Sequence, residues 1–280
     1  MNSAQTRRRP MTGGGRSRPP SSSLRIRVAN SAWTYRLLVL LVLGSTWEIA
    51  ARAAKLLLVP TFSGTIGGVF QLIVDPKVWQ AFFISNQALV VGFGIAVVFG
   101  ILLGLGAARF SRIEGFIDPY LNILLVTPMA ALIPILLMSL GIGLASRVFL
   151  VVVFAIPVII VNARAGVRQV DPNLIEMATS FGANERDVWR KILLPGALPA
   201  IMTGVRLGLG RGVTGMVIIE LLMVAVGIGG LILNFQGRFQ ANLLYGLVVL
   251  VVIEALLLVS AVRVIERRLA PWASQTVLRD

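Results

Sequence analysis

The residues best able to do chemistry in this chain are charges set inside apolar sequence. Among 280 residues there is no His and no Cys. Their absence excludes His-ligated haem, Cys-ligated iron–sulfur clusters, the common zinc sites, disulfides and Ser-His-Asp or Cys-His catalysis. No G-x-x-x-x-G-K-[ST] phosphate loop occurs, since Gly13-Gly14-Gly15 is followed by Arg16, so this chain has no cradle of its own for a nucleotide. Glu48, Arg206, Arg211, Glu220 and Glu254 interrupt long hydrophobic runs. A charge at the centre of a bilayer costs roughly 2.5–3.5 kcal/mol on insertion scales, so each requires a partner or a water-filled cavity. Arg211 lies among Gly204, Gly208, Gly210, Gly212 and Gly215, and two readings stand for it. It lines a path for an anion, together with Arg206 and Glu220 as further path candidates, or it is neutralised by Glu48, Glu220 or Glu254. No catalytic residue and no metal-ligand set is expected.

A second cluster lies in residues 164–199, the longest connection between apolar runs that is not loop-like. Asp171-Pro172 combines an N-cap acceptor with a proline at the first helical position, where the missing N–H costs nothing. Leu174, Ile175, Ala178 and Phe181 then recur at helical spacing, and Gly182 suits the left-handed position after a helix. Asn184 opens a second short helix with Glu185 and Asp187 in its first turn, carrying Val188, Trp189 and Ile192 and ending before Pro195. A helix–turn–helix with apolar residues on its surface requires a partner.

The elements that must position these groups follow from composition. With 56% hydrophobic and 14% charged residues, the chain has too little polar surface for a water-soluble globule. Stretches near the required 20 apolar residues occur at about 35–54, 88–108, 118–140, 145–163, 200–224 and 243–262. Asp118-Pro119 is expected to start the third of these, Pro128, Pro134 and Pro157 to lie within the third and fourth, and Ile66 to Val74 to form an external interfacial helix. Gly100-x-x-x-Gly104 is a helix-packing signal. With the N-terminus inside, the internal segments carry 19 Lys/Arg and the external ones five, so both termini are expected in the cytoplasm. Residues 1–34, rich in Arg, Gly, Pro and Ser, are expected to be a disordered basic tail. The expectation is an all-α membrane protein of about six transmembrane helices with a cytoplasmic helix–turn–helix.

The loop residues resemble the permease subunits of bacterial binding-protein-dependent ABC importers. The family's signature there is Glu-Ala-Ala, three residues, Gly, nine residues, Ile-x-Leu-Pro. This chain has Glu176-Met177-Ala178, then Gly182, then Ile192-Leu193-Leu194-Pro195, with Met177 the one departure. Gly141-Ile142-Gly143, Gly204-Val205-Arg206, Glu220, Gly227-Ile228-Gly229 and Glu266-Arg267-Arg268-Leu269 look like the nitrate/sulfonate/taurine branch. The resemblance implies a permease domain over 35–265, a cytoplasmic tail over 266–280, and an ATPase-coupling loop over 164–199. Within that loop Glu176, Ala178, Phe181, Gly182, Trp189, Ile192, Leu194 and Pro195 take the coupling role. It implies a separate cytoplasmic ATPase dimer holding ATP and Mg, with no cofactor in this chain. It also implies a second permease copy, an extracytoplasmic solute-binding protein, contact with membrane lipid but not nucleic acid, and a place in the bacterial plasma (inner) membrane. A secondary transporter working without ATP, or a membrane scaffold subunit, are the rival readings, and neither accounts for the loop signature.

Overall fold

A computed structural model of the protein describes residues 32–54 and 58–274. The expected basic tail lies outside the described residues as far as position 31, and the C-terminal tail does so from position 275. The described residues are almost entirely helical: α1 (Ala32–Ala54), α2 (Phe62–Val74), α3 (Pro76–Arg109), α4 (Ser111–Val126), α5 (Ile133–Leu140), α6 (Leu144–Arg168), α7 (Pro172–Ser180), α8 (Glu185–Val188), α9 (Leu194–Ile219), α10 (Gly227–Gly237) and α11 (Ala241–Leu269). Five helical stretches are long and apolar enough to cross a membrane, or six if the bent pair α4 and α5 is counted as one span. All six expected apolar runs are accounted for.

At the centre α6 is pressed between α3 and α9. Glycine makes that approach possible. A Cβ on Gly104 of α3 would stand 2.6 Å from the Ala163 Cβ of α6, and one on Gly204 of α9 would stand 2.6 Å from the Asn162 Cβ. The Gly100-x-x-x-Gly104 signal is thus a contact with α6, where Ile159 and Ala163 fill the space the glycines leave. Leu89, Val151, Leu209, Val213 and Met216 form the main core with Leu72 and Leu247. Outside it, α2 lies on the backbone of α11, where a Cβ on Gly68 would strike the Asn242 carbonyl. α1 is joined through Trp47, whose ring meets Phe62 at 5.7 Å and whose indole N–H donates to the Pro60 carbonyl at 3.0 Å.

Three expectations are corrected. Asp118-Pro119 does not open a helix: α4 starts eight residues before Pro119, at Ser111, and Pro119 lies inside it. The ring removes one backbone hydrogen bond, while Asp118 is drawn into an ion pair with Arg164 instead of capping. The run 118–140 is not one straight span, because it breaks at Thr127-Pro128 and bends by 98°. Proline disfavours helical geometry in the residue before it, and Thr127 is accordingly extended at φ −67°, ψ 132°. Nor does the helix opening at Asn184 end before Pro195. It passes through a π-helical turn (Trp189–Leu193) into α9, with Pro195 just past the junction, where the N–H that its ring lacks is one bond missing from a ladder already loosened by that turn.

Candidate functional site

The helix–turn–helix is fixed by local hydrogen bonds that match its sequence. The Asp171 carboxylate accepts from the Asn173 N–H at 2.9 Å to start α7. At the far end the Ala183 N–H donates to the Ala178 carbonyl at 2.9 Å, with Gly182 between them at φ +81°. That is a left-handed helix stop of the kind only glycine adopts without strain. The Asn184 side chain then accepts from the Asp187 N–H at 2.9 Å and opens α8.

The apolar residues of this segment divide into two sets. Val188 and Leu193 are buried against Ala163, Val167 and Ala197, and Ile175, Ala178 and Trp189 pack around them. Leu174 (45% exposed), Met177 (52%) and Phe181 (86%) point away from the bundle, on one side of α7 and its stop. Glu176 and Gly182 are exposed beside them, Ile192 and Pro195 are half-buried, and Leu194 is 37% exposed. Ion pairs brace the same end. Arg109 of α3 bonds Glu185, Arg164 bonds Asp118 and lies 3.2 Å from Glu114, and Arg168 reaches Glu114 at 2.6 Å.

The charges within the spans have different surroundings. Glu48 takes two hydrogen bonds at 2.9 Å, from the Ser63 N–H and hydroxyl at the start of α2, and is bonded by Arg52 at 2.7 Å. Glu254 accepts from Asn86. Arg206 is bound to Glu266 of α11 at 2.8 Å. Glu220 has no exposed surface and is engaged by Arg147, Ser85 and the Gly229 N–H. So none of the three acids weighed as partners for Arg211 pairs with it. Arg211 is exposed and forms no ion pair or hydrogen bond among the described residues. Gly204, Gly208, Gly212 and Gly215 face α6, and Leu207, Arg211 and Thr214 make an exposed stripe on the other side of α9.

The sequence matches the family described as "Binding-protein-dependent transport system inner membrane component" over residues 96–275. The chain belongs to this family. It is 34% identical to the taurine transport system permease protein TauC of Escherichia coli, over 74% of this chain and 75% of that one. It is 27% identical to the putative aliphatic sulfonates transport permease protein SsuC of Bacillus subtilis, over 86% and 88%. Among solved structures, an inward-facing form of the MetNI methionine ABC transporter shares the fold with a TM-score of 0.54 and 24% identity, covering 69% of this chain and 94% of that one. The protein is therefore a permease subunit of an ABC importer, multi-pass in the inner membrane, and its ATPase is a separate chain. The secondary-transporter and scaffold readings fall with that assignment.

Within this importer subunit, sequence reasoning missed the partners rather than the charges. Glu220 was a path candidate, yet its carboxylate is sealed in protein. Arg147 counted as one of the external charges, but its side chain is 10% exposed and lies 3.5 Å from Glu220. A signal was present in the position of Arg147 two residues inside an apolar run beginning at residue 145, where an uncompensated charge would be costly.

Proposed function

We propose that the permease forms, with a second copy of itself, the membrane path for a small anion of the sulfonate class. Arg211 carries this reading. It is an exposed guanidinium within an apolar span, without an acid to neutralise it among the described residues, and such a group belongs beside water or a counter-charged solute rather than lipid. A sulfonate offers oxygens that a guanidinium binds by paired hydrogen bonds, and two relatives carry taurine or aliphatic sulfonates in their names. Both termini and α7–α8 lie on the cytoplasmic side, as the 19 to five distribution of Lys and Arg supports.

There an ATPase dimer, with ATP and Mg, grips the exposed face of Leu174, Met177 and Phe181 beside Glu176. Gly182 shapes that surface, Ala178, Trp189 and Ile192 hold it to the bundle, and Leu194-Pro195 join it to α9. A solute-binding protein delivers the anion at the opposite face. The test is uptake of radiolabelled taurine and of short alkanesulfonates by vesicles carrying the assembled complex. Arg211→Gln is expected to cut uptake about tenfold or more, the scale of one lost charge-assisted contact, while the ATPase still co-purifies, and Arg211→Lys to retain part of it. Uptake by Arg211→Gln equal to the parent overturns the path assignment.

A further inference from the structure

The transport path must be closed at one end while it is open at the other, and the end of α9 remote from α7–α8 carries a buried polar cluster. α9 is 26 residues long, so at 1.5 Å per residue its ends lie about 39 Å apart, and Glu220 stands where it finishes. There the helix loosens into a π-helical turn (Glu220–Val224), and the chain reverses through Ala225 at φ 41° and Gly227 at φ 61° into α10.

Four elements meet on the Glu220 carboxylate and its neighbours. Ser85 of α3 donates to Glu220 Oε2 at 2.7 Å. The Gly229 N–H, in the first turn of α10, donates to the same oxygen at 3.1 Å. The Ile228 N–H donates to the Ser85 hydroxyl at 3.0 Å. Arg147 of α6 places Nη1 3.5 Å from Glu220 Oε1 and donates from that nitrogen to the Ile84 carbonyl of α3 at 3.1 Å. Ser85 and Glu220 are fully buried, and Arg147 is 8% exposed. The packing leaves no slack, since a Cβ on Gly227 would stand 2.8 Å from the Glu220 carboxylate.

We propose that Ser85, Arg147 and Glu220 are positioning residues that clamp the far end of α9 and the first turn of α10 onto α3 and α6, and so hold the path shut at that end. The proposal rests on the reading that α7–α8 face the ATPase and that the exposed stripe of α9 lines the path. A buried ion pair is poor at adding stability, because desolvation offsets most of its attraction. What it does is make intermediate positions costly: separating Glu220 from Arg147 leaves each buried charge without its counter-charge, with only neutral hydrogen-bond partners beside it. The end of α9 therefore has a docked position and a released one, with little between, which is the behaviour a gate requires.

The chain has no cysteine, so a single Thr214→Cys on the exposed stripe gives this subunit one thiol. The experiment measures its labelling by a membrane-impermeant maleimide from the face opposite the ATPase. It uses the full complex with ATPase and binding protein, at rest and trapped with ATP and vanadate. In the parent background, labelling confined to the trapped complex is the expected pattern. Adding Glu220→Gln or Ser85→Ala is expected to raise resting labelling about tenfold or more, as a shift in a two-state balance does.

The double variant Arg147→Met, Glu220→Gln separates gating from stability, because removing both charges spares the fold. It is expected to regain the parent's thermal stability and yet remain labelled at rest. Resting labelling at the parent level in the single variants, or full restoration of protection in the double variant, overturns the clamp and leaves the path reading standing. A thiol unlabelled in every state overturns the path reading, and the clamp with it.

Discussion

The two ends of the bundle solve opposite problems. At the α7–α8 end one ion pair and one set of apolar residues stand in the open: the Arg109 and Glu185 side chains are 38% and 64% exposed, and Phe181 is 86% exposed. At the far end, Ser85 and Glu220 are sealed in the interior, and the glycines of the α10 turn admit nothing larger. On the function proposed above, the first end is a surface that the ATPase covers. Its ion pairs lie near water and orient the helices weakly, while the free energy of its apolar face is realised only against a partner. The far end is already covered by its own chain, so its contacts act inside the subunit. Substitutions at the far end should change stability and the state of the path. Those at the near end should leave the isolated subunit intact and change what it holds.

The largest effect that would test this contrast is at Gly229. A Cβ there would meet the Glu220 backbone carbon at 2.6 Å and the Leu221 nitrogen at 2.8 Å, neither of which is a flexible side-chain end. Gly229→Ala is expected to cost the subunit about 1–3 kcal/mol through overpacking, seen as a clear drop in melting temperature in detergent without any partner present. An unchanged melting temperature would mean that the far end is no tighter than the near one.

Phe181→Ala comes next and should behave in the reverse manner. It removes an exposed ring, so the subunit's melting temperature should not move. Association with the ATPase should weaken by about 1.4 kcal/mol or more, on the order of tenfold, as truncation of an aromatic anchor does. Normal co-purification with an unaltered subunit would remove the basis for treating the near end as a docking surface.

How far each end could be foreseen follows from the range of the interactions that make it. The near end is local. Asp171, Gly182 and Asn184 act on residues within five positions of themselves, so spacing alone located α7, the turn and the start of the next helix, though not where that helix ends. The apolar runs were equally legible, because a 20-residue run needs no distant information, although the break inside 118–140 was not. The far end is not local: Ser85 and Arg147 meet Glu220 across 135 and 73 positions, and neither distance leaves a periodic trace. α10 was absent from the expected elements for a related reason. Its Gly-rich start, Gly227-Ile228-Gly229-Gly230, has low intrinsic helix preference, and it is held by the Glu220 carboxylate accepting from its first turn. Proline misled in both directions, for Pro128 was expected inside a span and stands at its break. Pro119 and Pro195 looked like boundaries, whereas Pro119 is carried inside α4 and Pro195 inside the first turn of α9.

The smallest expected effect belongs to the bond between Arg109 and Glu185, which ties α3 to α8. Both groups are well hydrated, so screening by water and salt limits what the pair contributes to about 0–1 kcal/mol. Glu185→Gln should shift the subunit's melting temperature barely or not at all, and any shift should vanish in high salt. If it instead destabilised the subunit as much as Gly229→Ala, the ion pairs of the near end would have to be regarded as structural. Since Glu185 opens α8 directly after the Gly182 stop, a measurable loss of transport per ATP hydrolysed without loss of stability would give the pair a different role. It would then keep the docked segment in step with α3, and the contrast between the two ends would become one of rigidity rather than of burial.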